Sequence, residues 1–61
     1  MNGKQLIKLL EKMGWQVIRI NGSHFRLSKG NLRTTVPVHG NRDIGKGLLS
    51  AIEKQTGVKL K

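Results

Sequence analysis

Two glycine-bearing turn signals, Asn21-Gly22 and Gly30-Asn31, constrain this chain more than anything else in it. Asn-Gly is the strongest short-range hairpin signal, because a type I′ turn needs positive φ at both central positions. Between the two turns, "HFRLS" (24–28) alternates apolar and polar residues, as a strand with one buried face does. Before them lies "WQVIRI" (15–20), β-branched and aromatic, and after them "RTTVPVH" (33–39). Three strands joined by two tight turns make an antiparallel meander with the second strand in the middle. Pro37 cannot donate to a ladder, which agrees with an edge position for the third strand.

Such a sheet needs a cover for its apolar face, and the flanking segments read as helices. Asn2 and Gln5 have the spacing of a capping box. Leu6, Leu9, Leu10 and Met13 follow as a buried stripe, and Gly14 suits the left-handed residue that ends a helix. Lys4, Lys8 and Lys12 line the opposite, solvated side. In the second helix Asp43 is the expected cap, with Ile44, Leu48, Ala51 and Ile52 on one side. Gly57 is its stop, and Val58 is free to fold back. The order is α-β-β-β-α, an α+β fold with both helices packed on one face of the sheet.

The chain reads as a single domain, 1–61, near the lower limit for independent folding. A chain this short buries only about 60% of its unfolded surface. It has no cysteine, so neither disulfides nor thiolate zinc can staple it. No signal-peptide core and no apolar run of membrane-spanning length is present, so a cytoplasmic protein is expected.

Tight turns fix register. With Asn21-Gly22 as a two-residue loop, Ile18 lies opposite Phe25 and Arg19 opposite His24. With Gly30-Asn31 as the second loop, Phe25 faces Val36 and His24 faces Pro37. The core side then collects Ile18, Ile20, Phe25, Leu27, Val36 and Val38. The open side collects Arg19, His24, Arg26, Thr35 and His39, together with Val17 and Trp15, which sit there uncomfortably.

Twelve Lys and Arg against three acids give a formal charge of +9, spread along the chain rather than gathered in a tail. A small basic domain of this kind takes a polyanionic partner, nucleic acid or an acidic protein. A neutral imidazole on a basic face can act as a general base. Set against RNA, it would deprotonate a ribose 2′-hydroxyl for attack on the adjacent phosphorus, while Arg and Lys stabilise charge on the phosphoryl oxygens. Arg19, Arg26, Lys29, Arg33 and Lys46 are the candidate RNA contacts, and His24 is the candidate catalytic group. Ser23 is a turn residue able to assist by a hydrogen bond, and His39 is a second candidate for an assisting role.

Glu11, Asp43 and Glu53 are too few to hold the ions of a two-metal nuclease, so no metal and no cofactor is expected. "GNRDIGKG" (40–47) nearly spells a phosphate loop, but Gly47 stands where the magnesium-binding hydroxyl belongs. A turn histidine by itself is more often incidental than catalytic. An RNA-binding module without catalysis and a basic protein-interaction module therefore stand beside the enzyme reading.

The stretches "GKQLIKLLEKMGW", "GSHFRL", "TTVPVHG" and "IGKGLLSAIEKQTGV", in this order and at these spacings, resemble the HicA toxins of bacterial and archaeal toxin–antitoxin pairs. The resemblance implies a double-stranded-RNA-binding-like α-β-β-β-α fold and ribosome-independent cleavage of messenger RNA. It also implies neutralisation by a HicB-type antitoxin. His24 matches that family's catalytic histidine, and His39 matches the histidine that follows its V-P stretch.

Overall fold

The computed structural model describes residues 1–60. Its order is α1 (Gly3–Lys12), β1 (Gln16–Asn21), β2 (His24–Lys29), β3 (Leu32–Pro37) and α2 (Lys46–Thr56). The three strands form one antiparallel sheet in the order β1-β2-β3, with Pro37 on an edge as expected. α1 packs against β1 and β3, and α2 against β3. This is the α+β, double-stranded-RNA-binding-like arrangement anticipated from the sequence.

The ends of α1 are built from the residues that mark them. Asn2 Oδ1 accepts from the Gln5 amide at 2.9 Å, and Gln5 Oε1 accepts from the Asn2 amide at 2.9 Å. Each thereby satisfies a donor that the helix start would otherwise orphan. At the other end Gly14 adopts φ +97°. The Trp15 amide donates to Leu10 at 3.0 Å and the Gly14 amide to Glu11 at 3.1 Å, the two bonds of a Schellman motif. That motif folds Trp15 back toward Leu10, and both side chains are fully buried. The buried face of α1 is Gly3, Leu6, Ile7 and Leu10, whereas Met13 is exposed because the helix ends before it can face the sheet.

The loop of the first hairpin lies one residue later than expected, which moves the partners of Arg19 and Ile20 by two residues. Asn21 pairs with His24 and Ile20 with Phe25, so the loop is Gly22-Ser23. Gly22 has φ +61°, and among the described residues only glycines have positive φ. Asn21 therefore avoids the left-handed conformation a type I′ turn would ask of it, and glycine takes the first loop position as in a type II′ turn. A second irregularity follows. Val17 pairs with Leu27 but Arg19 with Arg26, leaving Ile18 as the extra residue of a β-bulge. The bulge changes which side chains point inward, so Val17 joins the core and Arg19 keeps to the open face. It resolves the discomfort of Trp15 and Val17 at the expense of Ile18, while Ile20 keeps the face of its partner Phe25 and is exposed there. Ile18 is 51% exposed and Ile20 58%.

The second hairpin matches its reading: Phe25 pairs with Val36, His24 with Pro37, and Gly30 turns at φ +58°. Leu6, Leu10, Trp15, Leu27, Val36 and Ile52 are the largest fully buried side chains. α2 starts later than expected. Its N-cap is Gly45, without a side-chain cap, and Asp43 instead lies 3.4 Å from the Met1 ammonium. The Ile44 amide donates to the Met1 carbonyl at 2.8 Å, so residues 43–44 are tied to the N-terminus before the helix begins. Ile44 is buried from that tie, Ile52 from the helix, and Leu48 and Ala51 are exposed. Gly57 closes α2 in the left-handed conformation at φ +73°, and Val58 folds back into the core as the sequence indicates.

Candidate functional site

The short first hairpin places His24 at the first position of β2, opposite Pro37. Pairing continues one step beyond, because the Val38 amide donates to the Ser23 carbonyl at 2.7 Å. This bond holds the chain after β3 against the hairpin loop and delivers His39 beside His24. The two imidazoles lie with ring centroids 6.4 Å apart and planes at 83°. A turn in which the Arg42 amide donates to the His39 carbonyl at 3.1 Å carries the backbone away. From the helix side, Gly3 of α1 abuts the Pro37 carbonyl and Val38, so a helix supports the segment that presents His39.

The open sheet face next to His24 is cationic and concave. Arg19, Asn21, His24, Arg26 and Thr35 line a hollow of about 300 Å³. They come from two cross-strand rows, Arg19–Arg26–Thr35 and Asn21–His24–Pro37. Arg19 and Arg26 are direct cross-strand partners, and like charges placed opposite one another destabilise a sheet. Asp43 pairs with the Met1 ammonium, and neither guanidinium has a carboxylate partner among the described residues. Two exposed guanidiniums beside an imidazole put hydrogen-bond donors of a type that can hold an anion on this face.

The description "HicA toxin of bacterial toxin-antitoxin" belongs to a family model that matches residues 3–58. The chain is a member of the HicA toxin family. It is also 45% identical over 38 residues to a Pseudomonas fluorescens (strain Pf0-1) protein named "Probable mRNA interferase HicA". That alignment spans 62% of this chain and 63% of the relative's length. No solved structure matches the chain.

Of the site residues read from the sequence, this HicA-family chain brings Arg19, His24 and Arg26 into one hollow, while His39 stands beside His24 and lines another. Ser23 is half-buried in the turn, where its carbonyl holds Val38. Arg33 lies further along, at a second hollow that it shares with Arg26, Thr34, Thr35, Leu48 and Gln55. Its guanidinium donates to the Gly30 and Leu32 carbonyls at 2.9 Å, bracing the second hairpin. Lys29 is at the far end of β2, five residues or about 17 Å from His24. Its Nζ donates to the Met13 carbonyl at 2.7 Å, joining the sheet to the end of α1. Lys46 opens α2 and borders none of these hollows. Two neighbours escaped the sequence reading. Asn21 enters the site because the loop moves by one residue and pairs it with His24, and Arg42 borders His39 in a third hollow with Pro37 and Asp43. The only signal for Arg42 was its position three residues after His39.

Proposed function

We propose that this HicA-family chain is an endoribonuclease toxin that cleaves messenger RNA at the open sheet face and is neutralised by a HicB-type antitoxin. The observation that carries the reading is His24 beside Arg19 and Arg26, cations with no ion-pair partner among the described residues. The name of the Pseudomonas relative supports the substrate class. In this reading the arginines hold the non-bridging oxygens of a phosphodiester and stabilise the charge that builds there. His24 handles the proton of the adjacent 2′-hydroxyl, whose oxygen bonds to phosphorus as the bond to the 5′ oxygen breaks. The products are a 2′,3′-cyclic phosphate and a 5′-hydroxyl. Asn21 and Thr35 offer neutral hydrogen bonds to the sugar and phosphate, and Arg33 extends the cationic track along β3.

An acidic antitoxin laid over this face would bind fast through electrostatic steering, since the chain carries +9. It would cover His24 and the arginines together.

The test is cleavage of messenger RNA in excess EDTA by wild type and His24→Ala. Wild type is expected to cut and His24→Ala to be slower by about 100- to 10,000-fold, the range of a lost acid–base group. His24 is exposed, so the variant keeps its core. Saturable RNA binding by both proteins with cleavage by neither would replace the enzyme by an RNA-binding module. Equal cleavage by both would remove His24 from the chemistry.

A further inference from the structure

We propose that His24 and His39 divide the two proton transfers of the cleavage, with His24 as general base and His39 as general acid. This rests on the RNA-cleaving reading above. A transesterification of this kind moves two protons. One leaves the 2′-hydroxyl as its oxygen attacks phosphorus, and one must reach the 5′ oxygen as the phosphorus–oxygen bond breaks. A single imidazole cannot stand on both sides of an in-line displacement, where the attacking and leaving oxygens lie opposite each other.

The geometry provides two. Both imidazoles are exposed, and their centroids are 6.4 Å apart with planes at 83°. A ring nitrogen lies roughly 1 Å from its centroid, so the rings are too far apart to hydrogen-bond to each other directly. Each instead needs to be within about 3 Å of the oxygen it serves, and a phosphodiester between them meets that condition. Neither ring has a protein hydrogen-bond partner among the described residues, so all four nitrogens are available to substrate. The placement is also held rigidly. His24 begins a paired strand, and His39 is fixed by the Val38–Ser23 bond before it and the Arg42–His39 bond after it.

Charge separates the roles. The base has to stand where cations hold the phosphate under attack. Arg19 and Arg26 share the hollow of His24, with no acid in it. His39 instead borders Arg42 and Asp43, one charge of each sign. In the proposed step His24 takes the 2′-hydroxyl proton, the oxygen–phosphorus bond forms, the bond to the 5′ oxygen breaks, and the His39 imidazolium gives that oxygen its proton. Exchange with water then returns both rings to their starting states.

The test uses the full chain and a short RNA containing its mapped cleavage site, made with either oxygen or sulfur at the 5′ bridging position. A thiolate leaves without needing a proton, so general-acid catalysis becomes dispensable for the sulfur substrate. His39→Ala and His39→Gln are expected to cut the oxygen substrate about 100- to 10,000-fold more slowly than wild type and the sulfur substrate at close to the wild-type rate. His24→Ala is expected to be slow on both. The pH–rate profile of wild type on the oxygen substrate is expected to be bell-shaped, and His39→Ala to lose its alkaline limb. Equal impairment of His39→Ala on both substrates would reduce His39 to a binding or structural residue and overturn the proposal. Rescue of His24→Ala by sulfur would reverse the assignment. Failure of wild type to cut either RNA would overturn the RNA-cleaving reading itself.

Discussion

Gly3→Ala and Gly47→Ala make the same chemical change in two helices, and the structure gives them opposite signs. Gly3 is the first residue of α1 and is buried against the segment that leads to His39. A methyl group there would fall on the Pro37 carbonyl oxygen, 2.9 Å from Val38 Cγ2 and 3.0 Å from Val38 Cα. Two of those three atoms are backbone, so relief requires moving α1 or the end of β3 rather than turning a side chain. Overpacking of this kind costs about 1–3 kcal/mol. In a domain of this size each kcal/mol shifts Tm by roughly 4–8 °C, so Gly3→Ala should lower it by about 5–20 °C. Gly47 lies in the first turn of α2 with nothing within 4 Å of the new methyl. There alanine only gains helix propensity, up to about 1 kcal/mol, and Tm should rise by a few degrees. The assay is thermal unfolding followed by the fluorescence of the sole tryptophan, Trp15, which is 2% exposed. A Gly3→Ala protein as stable as wild type would refute the close approach of α1 to Pro37–Val38, and with it the support assigned to His39.

Arg19→Ala and Arg26→Ala should each weaken RNA binding and flatten its logarithmic salt dependence by about 0.7 per lost phosphate contact, measured by titration at several ionic strengths. Neither should lower Tm, because each relieves a like-charge cross-strand pair. Lys29→Ala should do the reverse, costing about 1 kcal/mol of stability through the lost bond to Met13 while leaving the salt slope unchanged. Asn2→Ala should cost about 1 kcal/mol by denaturant titration, through loss of the bond that Asn2 Oδ1 accepts from the Gln5 amide.

Where local chemistry alone decides the backbone, the sequence was enough. Asn2, Gln5 and Gly14 bound α1, Gly57 ends α2, Gly30-Asn31 sets the β2–β3 register, and Pro37 stays on an edge. The misreadings occur where two local options compete and tertiary packing chooses. Asn21-Gly22 and Gly22-Ser23 both make two-residue loops, and the second spares Asn21 a left-handed conformation. The bulge at Ile18 has no glycine to announce it, since it exists to bring Val17 inward beside the buried Trp15. Asp43 is of a residue type that caps helices, yet the Met1 ammonium sits beside it and the Ile44 amide bonds the Met1 carbonyl. At the site, alternation along β2 was sufficient to put His24 and Arg26 on one face, and Arg19 reached that face by a different register from the one expected. Lys29 and Arg33 were legible as cations but not as braces, because the carbonyls they hold come from turns whose geometry only the fold creates.

The central claim, that His24 drives attack by a ribose 2′-hydroxyl within a cationic hollow, is most directly tested by the ends of the cut RNA. Wild type would be incubated in excess EDTA with an RNA and with its twin carrying a single 2′-deoxynucleotide at the cleavage site, and the fragments weighed by mass spectrometry. The expected result is a 2′,3′-cyclic phosphate on one fragment, a 5′-hydroxyl on the other, and an uncut twin. Fragments bearing 5′-phosphates, or cleavage of the deoxy twin at the same bond, would contradict it.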